Sequence, residues 1–117
     1  MKFSTGFLTI ALLNAGAVLA DMHNFCGCGH RTGRNAVQDA YWTFNEEATK
    51  YACTRYRNRN TGNKKWDKCP DCQMDTQHFD GQANVPACFS VAWHMGGDEF
   101  DYYCGLKGLQ GYCKDIS

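Results

Sequence analysis

The stretch HNFCGCGH, residues 23–30, places two cysteines two positions apart between two histidines. In an extended chain alternate residues share a face, so Asn24, Cys26 and Cys28 point one way and Phe25 and Gly27 the other. Both thiols therefore address the same side of the segment, which is expected to be the core side, with the glycines serving close backbone approach and turning. The question is what the sulfurs do there, and the redox compartment decides it.

Residues 1–20 open with Lys2, continue through the apolar run FLTIALL and end with Val18 and Ala20 at the −3 and −1 positions of a cleavage site. This is the pattern of a secretory signal peptide, with 21–117 as a single disulfide-rich secreted domain. The apolar stretch includes Asn14 and is shorter than the roughly 20 residues a spanning helix needs, so no stable membrane insertion is expected. All eight cysteines, Cys26, Cys28, Cys53, Cys69, Cys72, Cys88, Cys104 and Cys113, fall in the exported part. An even number in a short secreted chain predicts a disulfide framework. Eight cysteines allow about 105 pairings, among which sequence does not choose.

Outward from the opening stretch, Val37, Tyr41, Phe44, Ala48, Tyr51 and Ala52 recur at steps of three and four. They predict a helix beginning at an Asn35 cap, with Gln38 closing a capping box and Arg55 and Arg57 in the last turn. Residues 57–70 lack apolar periodicity and read as an exposed loop. A weakly alternating strand is expected over 72–81 and a stronger one over 87–93. A second helix capped by Asp98 is expected over 98–108, and a closing strand in GYCKDI, residues 111–116. The fold class is α+β: a small disulfide-stapled domain with an antiparallel sheet and two helices in the order β-α-β-β-α-β.

Without residues 1–20 the charge is almost balanced, 11 basic against 12 acidic side chains, but it is unevenly placed. Arg55, Arg57, Arg59, Lys64, Lys65 and Lys68 crowd into residues 55–68 around Trp66, while seven acids lie between 67 and 101. The basic segment is the candidate site for an anionic partner: a host protein face, or a polysaccharide, lipid or nucleic-acid surface held by charge and stacking.

Catalytic and metal readings fare less well. Cys69-x-x-Cys72 has metal-ligand spacing, and His23, Cys26, Cys28 and His30 are ligand types, but an oxidising route consumes the thiols. No cofactor and no metal are expected. His78 and His94 with the arginines are the residue types of a small nuclease, yet nothing spaces them as an acid and base pair. Glu99 and Asp101 are two apart and diverge on a helix, which argues against a glycosidase pair, and no G-x-S-x-G, P-loop, H-E-x-x-H or G-x-G-x-x-G pattern occurs. The expectation is a non-enzymatic monomer, with a secreted toxin or RNase-like hydrolase as the alternative.

The export signal, the C-x-C opening, the helix ending in YACTRY and the tail YYCGLKGLQGYC resemble the small secreted cysteine-rich effectors of filamentous fungi. The element order is similar to that of the killer-toxin-like α/β effector fold. The resemblance implies an extracellular virulence factor that acts on a host without catalysis, and it carries over no active-site residue.

Overall fold

A computed structural model describes residues 22–33, 41–79 and 81–115. The predicted signal peptide, the predicted Asn35 cap and Gln38 lie outside them.

The opening stretch forms the central strand. After a two-residue strand β1 (Met22–His23), β2 (Phe25–Thr32) runs through the C-x-C motif. The chain then makes β3 (Tyr41–Phe44), helix α1 (Glu46–Arg57), a single 3-10 turn (Lys65–Asp67), β4 (Gln73–Phe79), β5 (Gln82–Phe89), β6 (Met95–Gly96), α2 (Gly97–Gly105) and β7 (Gln110–Lys114). All pairings are antiparallel. β7 lies along one edge of β2, from Phe25↔Lys114 to Gly29↔Gln110. On the opposite edge β3 pairs its second half, Gly29↔Phe44 to Thr32↔Tyr41, and β5 its first two residues, while β4 flanks β5. β1 and β6 form a separate two-stranded ribbon. The α+β class, antiparallel pairing and two helices agree with the sequence reading; β1, β3 and β6 are additional to the expected order.

The predicted helix start at Asn35 is overturned for the residues that are described. Tyr41, Trp42, Thr43 and Phe44 are aromatic or β-branched and favour a pleated strand, and β2 offers them a partner edge. The helix begins where the strand ladder ends. The Asn45 N–H donates to the Cys28 carbonyl at 2.8 Å, continuing the β2–β3 pairing, while its side-chain oxygen accepts from the Ala48 N–H at 2.8 Å as an N-cap. Glu46 and Glu47 in the first turn and Arg55 and Arg57 in the last suit the helix dipole. Thr49 completes the junction: its hydroxyl accepts from the Cys28 N–H at 2.8 Å and donates to the Asn45 carbonyl at 2.7 Å.

Two further boundaries move. The strand expected over 87–93 is β5, ending at Phe89, because Val91 and Ala92 form a turn closed by the Trp93 N–H donating to the Ser90 carbonyl at 3.0 Å. The second helix is capped by Gly96 rather than Asp98 and stops at Gly105, leaving Lys107 in the following turn.

Both faces of the sheet are apolar. Cys26, Cys28 and Cys88 look towards the helices and join Ala48, Ala52, Tyr56, Phe100, Tyr103 and Cys104 in one core. On the other face Phe25, Phe79, Val85 and Ala87 form a second cluster against Phe44, Phe89 and Tyr112. Gly27 lets the Phe44 ring pack close, since a Cβ would stand 3.2 Å from it.

All eight cysteines are bridged: Cys26–Cys113 across β2 and β7, Cys28–Cys104 from β2 to α2, Cys53–Cys88 from α1 to β5, and Cys69–Cys72 within a tight turn. The C-x-C motif is thus the hub from which the sheet holds its last strand and its second helix. In a domain this small each bridge of a long loop contributes roughly 2–4 kcal/mol.

Candidate functional site

The basic segment predicted from sequence divides in two on the structure. Arg55 and Arg59 project from the end of α1 towards α2, while Lys64, Lys65 and Lys68 stand exposed on the turn beyond.

On α1, Tyr51 and Arg55 are one helical turn apart, so their side chains meet. The Arg55 Nη1 donates to the Tyr51 hydroxyl at 2.9 Å, and its guanidinium lies 5.6 Å from the Tyr51 ring centroid and 5.7 Å from that of Tyr103 on α2. Arg59 continues the series, 5.5 Å from the Tyr56 ring and 5.8 Å from Tyr103, with Nη1 donating to the Tyr103 hydroxyl at 3.2 Å. At the other end the Lys107 ammonium stands 4.4 Å from the Tyr51 centroid. Cations and rings therefore alternate across the α1–α2 surface in the order Lys107, Tyr51, Arg55, Tyr103, Arg59, Tyr56. Each such contact contributes about 0.5–1 kcal/mol when exposed and fixes the direction of a side chain otherwise free to wander. Tyr102, 60% exposed and edge-on to Tyr103 at 5.3 Å, and Leu106, 48% exposed, add apolar surface beside the series.

The turn is tied down rather than free. The buried Tyr56 hydroxyl donates to the Trp66 carbonyl at 2.7 Å, and His94 Nδ1 lies 2.9 Å from the Lys65 carbonyl. A carbonyl only accepts, so that ring nitrogen carries the hydrogen. The Asp67 carboxylate accepts from the Thr61 hydroxyl at 2.7 Å and from the Lys64 N–H at 3.0 Å, and these two bonds hold its pKa below the ordinary carboxylate value. Trp66 is half-buried with the Lys64 ammonium 5.7 Å from its ring, so it offers an edge and one charged companion rather than a bare face. Arg57, by contrast, is exposed at the end of α1, on the side of Cys53 and Cys72.

Other candidate side chains are absorbed by structure. Asp71 accepts from the Ser90 hydroxyl at 3.0 Å and the Ala92 N–H at 2.9 Å, locking the entry of β4 to the exit of β5. Asp101 accepts from the Gly111 N–H at 2.7 Å, which ties α2 to β7 and turns it away from any role with Glu99. His78 is exposed on β4, and His23 pairs with Asp115 at 2.7 Å. The sulfurs of Cys53, Cys72 and Cys88 cluster within 4.8 Å, a metal-like grouping, but in disulfides they present no thiolate ligand.

Sequence reasoning named Arg55, Arg57, Arg59, Lys64, Lys65, Trp66 and Lys68; the structure sets Tyr51, Tyr103 and Lys107 in the same cation–ring series as Arg55 and Arg59. The Tyr51 and Arg55 spacing was a legible signal. The approach of Tyr103 and Lys107 depends on how α2 docks against α1 and left no local trace.

Eight bridged cysteines in a small domain suit an oxidising, extracellular setting. The family model of BAS4, biotrophy-associated secreted protein 4, matches residues 21–112. The chain belongs to the BAS4 family. It is accordingly a secreted, cysteine-rich, biotrophy-associated effector. No curated protein and no solved structure matches this BAS4-family chain. Among the described residues no helix is long and apolar enough to cross a membrane.

Proposed function

We propose that this BAS4-family protein acts on its host by binding, without catalysis, and that the cation–aromatic surface of α1, α2 and the 64–68 turn grips a polyanionic partner. The observation that supports this reading is the alternation of Lys107, Tyr51, Arg55, Tyr103 and Arg59 beside the exposed Lys64, Lys65 and Lys68. Rings that hold cations in register raise local positive potential at little entropic cost on binding, because the side chains are already ordered. A structural surface gains little from so many exposed positive charges, which repel one another in the absence of a partner.

The test measures binding of the wild type and of Lys64→Ser/Lys65→Ser/Lys68→Ser to polygalacturonate, acidic phospholipid vesicles and RNA across a salt series. Affinity for one of these is expected to fall steeply with salt, since exposed charges are screened over about 8–10 Å at 0.1–0.15 M. The triple variant is expected to bind more weakly while its stability shifts by no more than about 0.5 kcal/mol. Weak, salt-insensitive and equal binding by both proteins overturns the reading. Cleavage of the RNA, abolished in a folded His94→Ala or His78→Ala protein, replaces it with a nuclease.

A further inference from the structure

Two disulfides that are unrelated in sequence abut in the core. The Cys53–Cys88 bridge joins α1 to β5, and Cys69–Cys72 closes the turn before β4, yet the sulfurs of Cys53, Cys72 and Cys88 all lie within 4.8 Å of one another. A cleft of about 240 Å³ opens beside them, with Cys53 and Cys72 in its wall and Lys50 and Arg57 among its lining residues. Basic side chains around a sulfur favour the thiolate, the form that attacks disulfides.

We propose that these four cysteines form a thiol-exchange centre whose substrate is an external dithiol. One thiolate of the dithiol attacks Cys72 Sγ in the cleft wall, forming a mixed disulfide and releasing Cys69 as thiolate, which takes the proton of the reagent's second thiol. That second sulfur, now a thiolate, displaces Cys72 as thiolate, and the reagent departs as its cyclic disulfide. Two electrons have passed from reagent to protein. The Cys72 thiolate next attacks one sulfur of the Cys53–Cys88 bond, so that a Cys72–Cys53 or Cys72–Cys88 bond forms and the remaining member leaves as thiolate. This second step is redox-neutral. It needs no diffusion of the nucleophile, since the attacking and accepting sulfurs are held together by the fold.

The consequence is specific to this fold. Exchange onto Cys53 moves the tether of α1 from β5 to the start of β4; exchange onto Cys88 releases α1 from its bridge. Cys69 is not in the set of three mutually close sulfurs, nor are Cys26, Cys28, Cys104 and Cys113, so exchange should stay within this centre.

The test uses Cys69→Ser, which leaves Cys72 as the lone thiol of an otherwise oxidised protein. After incubation at pH 8 the protein is acid-quenched, alkylated and mapped by mass spectrometry. The label is expected at Cys53 or Cys88 in at least about a tenth of the molecules, the share for bridges within about 1.4 kcal/mol of each other. In Cys72→Ser it is expected at Cys69 alone. Label confined to Cys72 in the first variant, or equal scrambling in both, overturns the proposal. To keep the test independent of how either variant folds, the wild type is also treated with substoichiometric dithiothreitol and trapped over time. Label at Cys69 together with Cys53 or Cys88 supports exchange, and label at Cys69 and Cys72 alone refutes it.

Discussion

The hydroxyl of Tyr56 reaches the backbone of Trp66, donating to its carbonyl at 2.7 Å while accepting from the Gly96 N–H at 3.0 Å. One fully buried phenol thus joins the end of α1, the basic turn and the cap of α2. Each of these segments is a loop or terminus whose backbone groups would otherwise go unpaired, and a single residue from the core satisfies two of them. The position of the exposed lysines is set from inside the molecule.

Tyr56→Phe removes that link without altering the packing of the ring. It leaves the Trp66 carbonyl and Gly96 N–H short of a partner, and the expected cost is about 1–3 kcal/mol, read as a lower urea midpoint. Burial also pushes the Tyr56 pKa well above its ordinary value of 10.0. A neutral form favoured by folding gives stability that is complete below about pH 10 and is lost as pH rises towards the folded pKa. Wild-type stability should therefore decline above pH 10 more steeply than that of Tyr56→Phe, and parallel declines would show that this phenol does not contribute.

Asn45→Ala tests the junction of strand and helix. The side chain caps α1 through the Ala48 N–H, while the backbone bond to Cys28 survives the substitution. A loss of about 1 kcal/mol is expected, most of it recovered in Asn45→Asp, which retains the acceptor. Equal stability of wild type and Asn45→Ala in chemical denaturation would remove Asn45 as the start of the helix.

The same junction shows where the sequence was legible. Alternation in NFCGC was enough to place Cys26 and Cys28 on the core side, and both are fully buried. Export, cysteine parity and the last turns of α1 were also readable. The helix start was not, because Tyr41 and Phe44 sit at helical spacing from Ala48 although they belong to a strand. A step of three or four between aromatic residues is local, whereas their β2 partners, Thr32 for Tyr41 and Gly29 for Phe44, are 9 and 15 residues upstream. Disulfide pairing was hidden for a similar reason: Cys26 and Cys113 are 87 residues apart and meet only through strand register.

Gly29→Ala probes that register. A Cβ on Gly29 would fall onto the Thr43 carbonyl and stand 3.0 Å from the Phe44 Cα, both of them backbone and unable to swing aside. The β2–β3 pairing must open, and the expected penalty is about 1–3 kcal/mol. Gly33→Ala, where a Cβ meets nothing within 4 Å among the described residues, serves as the contrast in the same denaturation assay.

Asp67→Ala separates charge from order in the proposed binding surface. The carboxylate gathers Thr61 and the Lys64 N–H, and its lowered pKa means that these bonds hold at neutral pH and weaken only as pH falls below the ordinary carboxylate value of 3.8. Removing it makes the protein more positive by one charge, so long-range attraction alone predicts tighter binding of a polyanion. It also frees the turn that carries Lys64, Lys65 and Lys68, and ordering each long side chain on binding costs roughly 0.5–1.5 kcal/mol. The cost of order should prevail over one screened charge at 0.15 M salt, where an exposed ion pair contributes only about 0.2–1 kcal/mol. The variant is therefore expected to lose amide-exchange protection at Lys64 and to bind the polyanion more weakly than wild type. Tighter binding with protection unchanged would show that the number of charges, and not their arrangement by Asp67, governs this surface.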